Sequence, residues 1–149
     1  MREDEPNGVV VSVVVCTPGG AQGEVLARAG ADQAKLSGAE LVLLRYVQAT
    51  GEAERGPESV VDEALGDLRS QARSFESNGI TCRAEVVTGP GEDAGPKLLE
   101  AIRRIDAELV VIGIRSRSRV GKLLLGSIAQ DLLLAAGRKV LAVPVEPGS

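Results

Sequence analysis

The sequence predicts an α/β fold in which a doubly wound, five-stranded parallel sheet is covered by helices on both faces. Its 149 residues are near the common size of one domain. Hydrophobic residues make up 44% of the chain and aromatic residues only 1%, so aliphatic side chains must build the core. Five short apolar runs alternate with segments of helical periodicity, which is the pattern of parallel strands joined by right-handed crossover helices.

The five apolar runs predict the strands. Most are nearly uninterrupted and rich in valine, isoleucine and leucine, as is typical of strands that are buried on both faces. The third run alternates more between apolar and polar residues. The predicted strands are Val9–Cys16, Glu40–Val47, Ile80–Val87, Leu109–Ile112 and Val140–Val145.

Four helices are predicted between the strands. Ala21–Ser37 is rich in alanine and precedes Gly38, a residue type that commonly follows the end of a helix. Pro57–Ser77 has the clearest helical spacing of apolar residues, with proline near its start and Asn78-Gly79 after its end. The third helix is marked by Leu98, Ile102 and Ile105, and the fourth by Ile128, Leu132 and Ala135, before Gly137.

The composition excludes several classes of function. The chain contains no histidine, so it lacks the usual general base at neutral pH and the commonest metal ligand. Cys16 and Cys82 lie far apart in apolar segments, which predicts buried free thiols in a reducing cytoplasm rather than a metal cluster. The net charge of −4 disfavours nucleic-acid binding, and no apolar run approaches the roughly 18 residues that span a membrane. We expect one domain over residues 1–149, with a flexible acidic tail at residues 1–8.

The loop predicted after the fourth strand, Gly113–Ser127, carries the clearest signal for a ligand. Parallel sheets bind ligands beyond the carboxyl ends of their strands, where the strand order reverses. The loop contains no acidic residue, and its basic residues are Arg115, Arg117, Arg119 and Lys122. Gly126-Ser127 then begins the fourth helix, whose N-terminus attracts phosphate. Two alternatives stay open: a solvated basic surface, and a capping box formed by Ser127 and Gln130.

The chain resembles universal stress proteins along nearly its whole length. The family's phosphate-loop pattern is Gly-x2-Gly-x9-Gly-Ser/Thr, and its four places are occupied here by Gly113, Ser116, Gly126 and Ser127. Three further segments resemble the family's second strand, last helix and last strand: Gly38–Leu44, Ile128–Ala136 and Val140–Val145. The resemblance implies a flavodoxin-like, adenine nucleotide alpha hydrolase-like sheet with strand order 3-2-1-4-5.

The resemblance also implies a partner and a cofactor. Universal stress proteins are commonly homodimers, and one large subgroup binds ATP; we expect Mg²⁺ only together with the nucleotide. The last strand, Lys139–Val145, should lie at a sheet edge with unpaired backbone groups, so we expect the dimer contact there. The family's role is generally in stress response or regulation, often with little or no hydrolysis. We therefore expect no catalytic residue and at most slow ATP hydrolysis.

The resemblance assigns the site residues as well. Phosphate is expected at the motif positions Gly113, Ser116, Gly126 and Ser127, and adenine near Tyr46 and Val47. The basic side chains of Arg115 and Lys122 and the helical N–H of Ile128 are added to the phosphate site for their charge and position. Thr17 and Pro18 stand where the family has an Asp-Gly-Ser stretch whose carboxylate helps to hold the nucleoside, and Ser116 stands in place of the second glycine. Two hypotheses stay open: a nucleotide-binding regulatory protein, and a homologue that has lost nucleotide binding and acts as a dimeric interaction module.

Overall fold

The computed structural model of the chain describes residues 11–48, 56–117, 122–124 and 126–146. The predicted tail at residues 1–8, Val9 and Arg119 lie outside these ranges, as do the side chains of Ser116, Arg117 and Lys122. No helix within the ranges is long and apolar enough to cross a membrane. The elements are β1 (Ser12–Cys16), α1 (Gly20–Ser37), β2 (Glu40–Gln48), α2 (Gly56–Glu76), β3 (Cys82–Gly89), a 3₁₀ helix (Gly91–Asp93), α3 (Ala94–Ile105), β4 (Leu109–Arg117), β5 (Lys122–Leu124), α4 (Ser127–Ala135) and β6 (Lys139–Val145).

The sheet has the predicted topology. Its parallel strands lie in the order β3-β2-β1-β4-β6. This is the predicted order 3-2-1-4-5 once the short antiparallel β5 is left out, so the predicted fold is confirmed. From β1 the chain moves outward through β2 and β3, and then returns to pair β4 with the other side of β1. The strand order therefore reverses between β1 and β4, and the carboxyl ends of these two strands form the crevice where such sheets bind ligands.

Strand β4 is longer than the sequence predicts, and this corrects the predicted loop. The prediction ended the strand at Ile112, whereas β4 continues to Arg117. β6 pairs with residues 109–115 of β4, and the unpredicted β5 pairs with residues 115–117. Because Arg115 pairs with both, β5 and β6 lie on opposite sides of β4. The pairing with β6, which is distant in sequence, and the hairpin pairing with β5 supply backbone hydrogen bonds that the residues of β4 alone do not signal.

The core consists of two layers, one on each face of the sheet. Alternate residues of β1 enter opposite layers: Val13 and Val15 pack with α1 and α2, whereas Val14 packs with α3 and α4. Both faces are thus covered, which explains why the strands read as nearly continuous apolar runs. The bulky side chains that are fully buried include Leu26, Leu41, Leu43, Leu44, Leu68, Ile102 and Leu132.

Helix α1 packs closely on β1 through two glycines. A methyl group at Gly30 would lie 2.2 Å from Val15 Cγ2, and one at Gly23 would lie 2.0 Å from Pro18 O. These separations are shorter than van der Waals contact, so a larger residue at Gly30 would push the helix away from β1, and one at Gly23 would push it away from the turn at Pro18. The close packing holds the segment between β1 and α1 at the carboxyl edge of the sheet.

Candidate functional site

A cavity of about 550 Å³ lies at the point where the strand order reverses, between the ends of β1 and β4, the first turns of α1 and the N-terminus of α4. Its volume is within the range of roughly 300–1,000 Å³ typical of small-molecule sites. The cavity brings together several residues that the sequence analysis assigned to the site: Pro18, Gly113, Arg115, Gly126, Ser127 and Ile128. Residues from β1, β4 and α4, which are far apart in sequence, thus line the same cavity.

The N-terminus of α4 opens into this cavity. Its N-cap residue is Gly126, in an extended conformation with φ −66° and ψ 165°, and among the described residues no side-chain hydrogen bond caps the helix. Ser127 is the first helical residue, so the capping box with Gln130 is not formed and that alternative is corrected. A methyl group added at Gly126 would meet nothing within 4 Å. A ligand can therefore approach the unpaired N–H groups of the first turn, which carry the positive end of the helix dipole.

The stretch from Gly113 to Ser116 is a strand rather than a loop wrapped around a ligand. Gly113 and Arg115 pair with β6, and Arg115 and Ser116 pair with β5. The side chain of Arg115 is exposed and lines the cavity. Gly113 is closely packed, since a methyl group there would lie 3.1 Å from Leu26 Cδ1 and 3.5 Å from Val145 Cγ2. This stretch therefore offers the cavity a cation at Arg115, and the phosphate contact expected at Gly113 and Ser116 stays a prediction.

Thr17 is not among the described residues that line the cavity, and the ligand contact expected of it stays a prediction. Its side chain is buried, with 3% of its surface exposed. Its Oγ1 lies 2.9 Å from Pro18 O and 3.3 Å from Gly23 O, so the single hydroxyl hydrogen is donated to backbone carbonyls at the start of α1. Arg45 Nε donates to Thr17 O at 3.2 Å. Pro18 is the exposed residue of this turn, and it lines the cavity.

Tyr46 and Val47 are not among the described residues that line this cavity, and the adenine contact expected near them stays a prediction. Val47 is buried, and the hydroxyl of Tyr46 donates to Pro90 O beyond the end of β3. Burial, followed by the negative charges of Asp93 and Glu92, raises the pKa of Tyr46. The hydroxyl is therefore a protonated donor at neutral pH, engaged two strands away from β4.

Gln22 and Cys16 line the cavity although the sequence analysis did not select them. Gln22 Nε2 donates to Glu146 O and so joins the first turn of α1 to the end of β6. Burial raises the pKa of the Cys16 thiol to about 12, so this side chain is a neutral, apolar part of the wall. The position of Gln22 was readable in principle, because the first turn of a helix that follows a parallel strand lies at the carboxyl edge of the sheet.

The charge of the cavity favours an anion. Among its described lining residues Arg115 is the one with a formal charge, and none is a carboxylate. In the part of the chain that the structure describes, no group of three or more histidine, cysteine or acidic residues could hold a metal ion. A guanidinium group and uncapped helical N–H groups, placed in one cavity, form an arrangement that suits phosphate.

Comparison with known proteins identifies relatives of this chain. Residues 12–144 match the universal stress protein family. A universal stress protein of Mycolicibacterium smegmatis (strain ATCC 700084 / mc(2)155) is 62% identical over 78 residues, which span 52% of this chain and 58% of that relative. A universal stress protein structure from Archaeoglobus fulgidus superposes with a TM-score of 0.72 and 24% identity, covering 91% of this chain and 98% of the other.

Some of the structurally similar proteins were solved with nucleotides. A universal stress protein from Archaeoglobus fulgidus in complex with dAMP has a TM-score of 0.68 and 19% identity, covering 91% of this chain and 98% of the other. Two structures with TM-scores of 0.61, one of them from Arabidopsis thaliana, contain cAMP and AMP, at 21% and 12% identity respectively. At these identities the likeness establishes the shared fold.

Proposed function

We propose that this chain, which belongs to the universal stress protein family, binds a nucleoside phosphate in the cavity between β1 and β4. The observation that carries the proposal is the uncapped N-terminus of α4, open at Gly126 and facing the same cavity as Arg115. Nucleotides in proteins of the same fold support this choice of ligand. The phosphate is assigned to the N–H groups at the start of α4 and to the Arg115 guanidinium.

Binding without appreciable hydrolysis fits this site best. Positioning a water for attack on a phosphate needs a general base or an equivalent polar group, usually a carboxylate, a histidine or a glutamine. The described lining holds no carboxylate, the chain has no histidine, and the one glutamine of the lining, Gln22, is held by its hydrogen bond to Glu146 O. Mg²⁺ would enter with ATP, held by its phosphates rather than by a cage of protein ligands. We assign the protein a regulatory role in the cytoplasm, where its free Cys16 and Cys82 would stay reduced.

The first experiment asks whether nucleotide is bound at all. Freshly purified protein is denatured and the released small molecules are identified by mass spectrometry, and emptied protein is titrated with AMP and ATP by calorimetry. We expect saturable binding of at least one of the two. Neither a released nucleotide nor a titration signal would contradict the proposal.

The second experiment places the ligand. Gly126→Val would fill the approach to the first turn of α4, and nothing within 4 Å opposes the added carbon. We expect nucleotide affinity to fall by at least about tenfold, through loss of charge-assisted hydrogen bonds, with a stability loss of about 1 kcal/mol because valine is a poorer N-cap residue than glycine. Gly66→Val is the matched control. A carbon added at Gly66 on α2 would also meet no atom within 4 Å, but Gly66 does not line the cavity. Equal affinity in the two variants would contradict the assigned site.

A second candidate function, a dimeric interaction module, is favoured by β6. Among the described strands β6 pairs only with β4, so its other edge carries unpaired backbone groups. Ala142 and Pro144 of this strand are exposed, and Leu134 of α4 is 83% exposed. We propose a two-fold homodimer through Lys139–Val145, in which Pro144 offers no N–H to the partner.

Light scattering tests the dimer. We expect a dimer at tens of micromolar and a shift toward monomer in Ala142→Asp, which places a charge on the exposed edge without entering the core. A wild-type monomer at that concentration would contradict the proposal. A dimer that binds no nucleotide would favour the interaction module over the nucleotide-binding protein.

A further inference from the structure

The cavity offers a nucleotide few side-chain hydrogen-bond acceptors: among its described lining residues these are the Gln22 carboxamide and the Ser127 hydroxyl, which lies at the phosphate end. Its described lining contains no carboxylate, and Thr17, next to Pro18, has its hydroxyl engaged with Pro18 O and Gly23 O. Among the described lining residues, Gln22 is the one whose side chain carries a carbonyl oxygen. The sugar of a nucleotide presents hydroxyl donors, and burying such a donor without an acceptor costs free energy.

The orientation of the Gln22 carboxamide follows from its partner. Glu146 O is a backbone carbonyl and only accepts, so the group facing it must be the NH₂ of Gln22. The opposite assignment would set two carbonyl oxygens against each other. This contact holds the side chain in place between α1 and the end of β6. Oε1 is left as an acceptor on a side chain that lines the cavity.

We propose that Gln22 Oε1 accepts a hydrogen bond from a sugar hydroxyl of the bound nucleotide. The inference rests on the proposed function, since it concerns the nucleoside end of the same ligand. Gln22 then supplies, from the first turn of α1, an acceptor in place of the carboxylate that is absent at Thr17 and Pro18. A neutral amide gives a weaker hydrogen bond than a carboxylate, but it brings no negative charge toward the phosphate.

A double-mutant-type cycle, in which two ligands are each titrated into two forms of the protein, tests this contact. AMP and 2′,3′-dideoxy-AMP, which lacks both sugar hydroxyls, are titrated into the wild type and Gln22→Leu. We expect the wild type to prefer AMP by about two- to tenfold, the range of one neutral hydrogen bond, and Gln22→Leu to bind both ligands equally. Gln33→Leu is the matched control, since Gln33 also lies on α1 but lines a separate pocket at the amino end of the strands.

A third variant separates the acceptor from the contact with Glu146. Gln22→Lys retains a donor for Glu146 O and removes the acceptor, so it should also lose the preference for AMP while binding both anions at least as well as Gln22→Leu does. If wild type binds both ligands equally well, the inference is wrong while the nucleotide site stands. If either Gln22 variant keeps the wild-type preference, another group accepts the hydroxyl. If no form binds AMP, the proposed function and this inference both fail.

Discussion

A carboxylate placed at Thr17 or at Pro18 should have opposite consequences, although the two residues are neighbours. Thr17 is 3% exposed and its hydroxyl hydrogen is donated to backbone carbonyls. In Thr17→Asp an ionised carboxylate would lie against the oxygens of Pro18 and Gly23 with no hydrogen to donate. Leaving a buried charge uncompensated costs about 3–5 kcal/mol, which is a large part of the stability of a small domain.

That cost can be converted into a melting temperature. For a chain of this size about 1 kcal/mol moves the melting temperature by about 2–4 °C, so Thr17→Asp should melt about 6–20 °C below wild type. Differential scanning calorimetry at pH 7 measures the shift. The shift should shrink on acidification, because burial raises the pKa of such a carboxyl group and the protonated form can again donate a hydrogen bond.

Pro18→Asp places the same carboxylate on an exposed residue that lines the cavity. We expect a stability change below about 1 kcal/mol, from the greater freedom of the unfolded chain. Affinity for AMP should rise by about tenfold, the value of a charge-assisted hydrogen bond to the sugar. Pro18→Ala controls for the loss of the proline ring. The reasoning is refuted if Thr17→Asp keeps the wild-type melting temperature and binds AMP more tightly, because Thr17 would then face the ligand.

Three further predictions concern stability and reactivity. Gly30→Ala should destabilise the protein by about 1–3 kcal/mol, since the added Cβ would lie 2.2 Å from Val15 Cγ2. Gly66→Ala, where the added Cβ meets open space, should instead stabilise it by about 0.5–1 kcal/mol. Urea unfolding measures both changes, and the same sign for both would contradict the packing of α1 on β1. Desolvation opposes ionisation of Glu85, but its ion pairs with Arg104 and Arg83 outweigh this and lower the pKa of Glu85. Its stabilisation is therefore present at neutral pH and is lost as pH falls through the lowered pKa, so the deficit of Glu85→Gln, about 0.5–1 kcal/mol at pH 7, should vanish in acid titrations. Burial raises the pKa of Cys16 and of Cys82 to about 12, so iodoacetamide at pH 8 should label neither thiol in the native protein and both in denaturant; rapid native labelling would show that the thiols are accessible.

The order and type of the main elements could be predicted because their signals are local. Each buried strand is an apolar run and each helix carries an apolar face, so the alternation of β and α is written in short segments. The role of Gly126 could also be predicted from local sequence, because this glycine stands directly before an apolar helical pattern. In the structure it is the N-cap of α4. A helix N-terminus at the carboxyl edge then follows from the topology of parallel sheets.

Tertiary structure alone decided where β4 ends and which side chains face the cavity. Residues 113–117 have no strong strand signal, yet β6 and β5 pair with them from opposite sides. Thr17 and Pro18 are adjacent in sequence, yet the hydroxyl of Thr17 is buried whereas Pro18 lines the cavity. Tyr46 turns to Pro90 and Gln22 to Glu146, both through partners that a one-dimensional pattern does not reveal. The sequence by itself determined the elements and the end of the sheet that holds the site, because short-range periodicity encodes them. The directions of the Tyr46 and Gln22 side chains depend on hydrogen-bond partners that are remote in sequence, and only the folded chain brings those partners together.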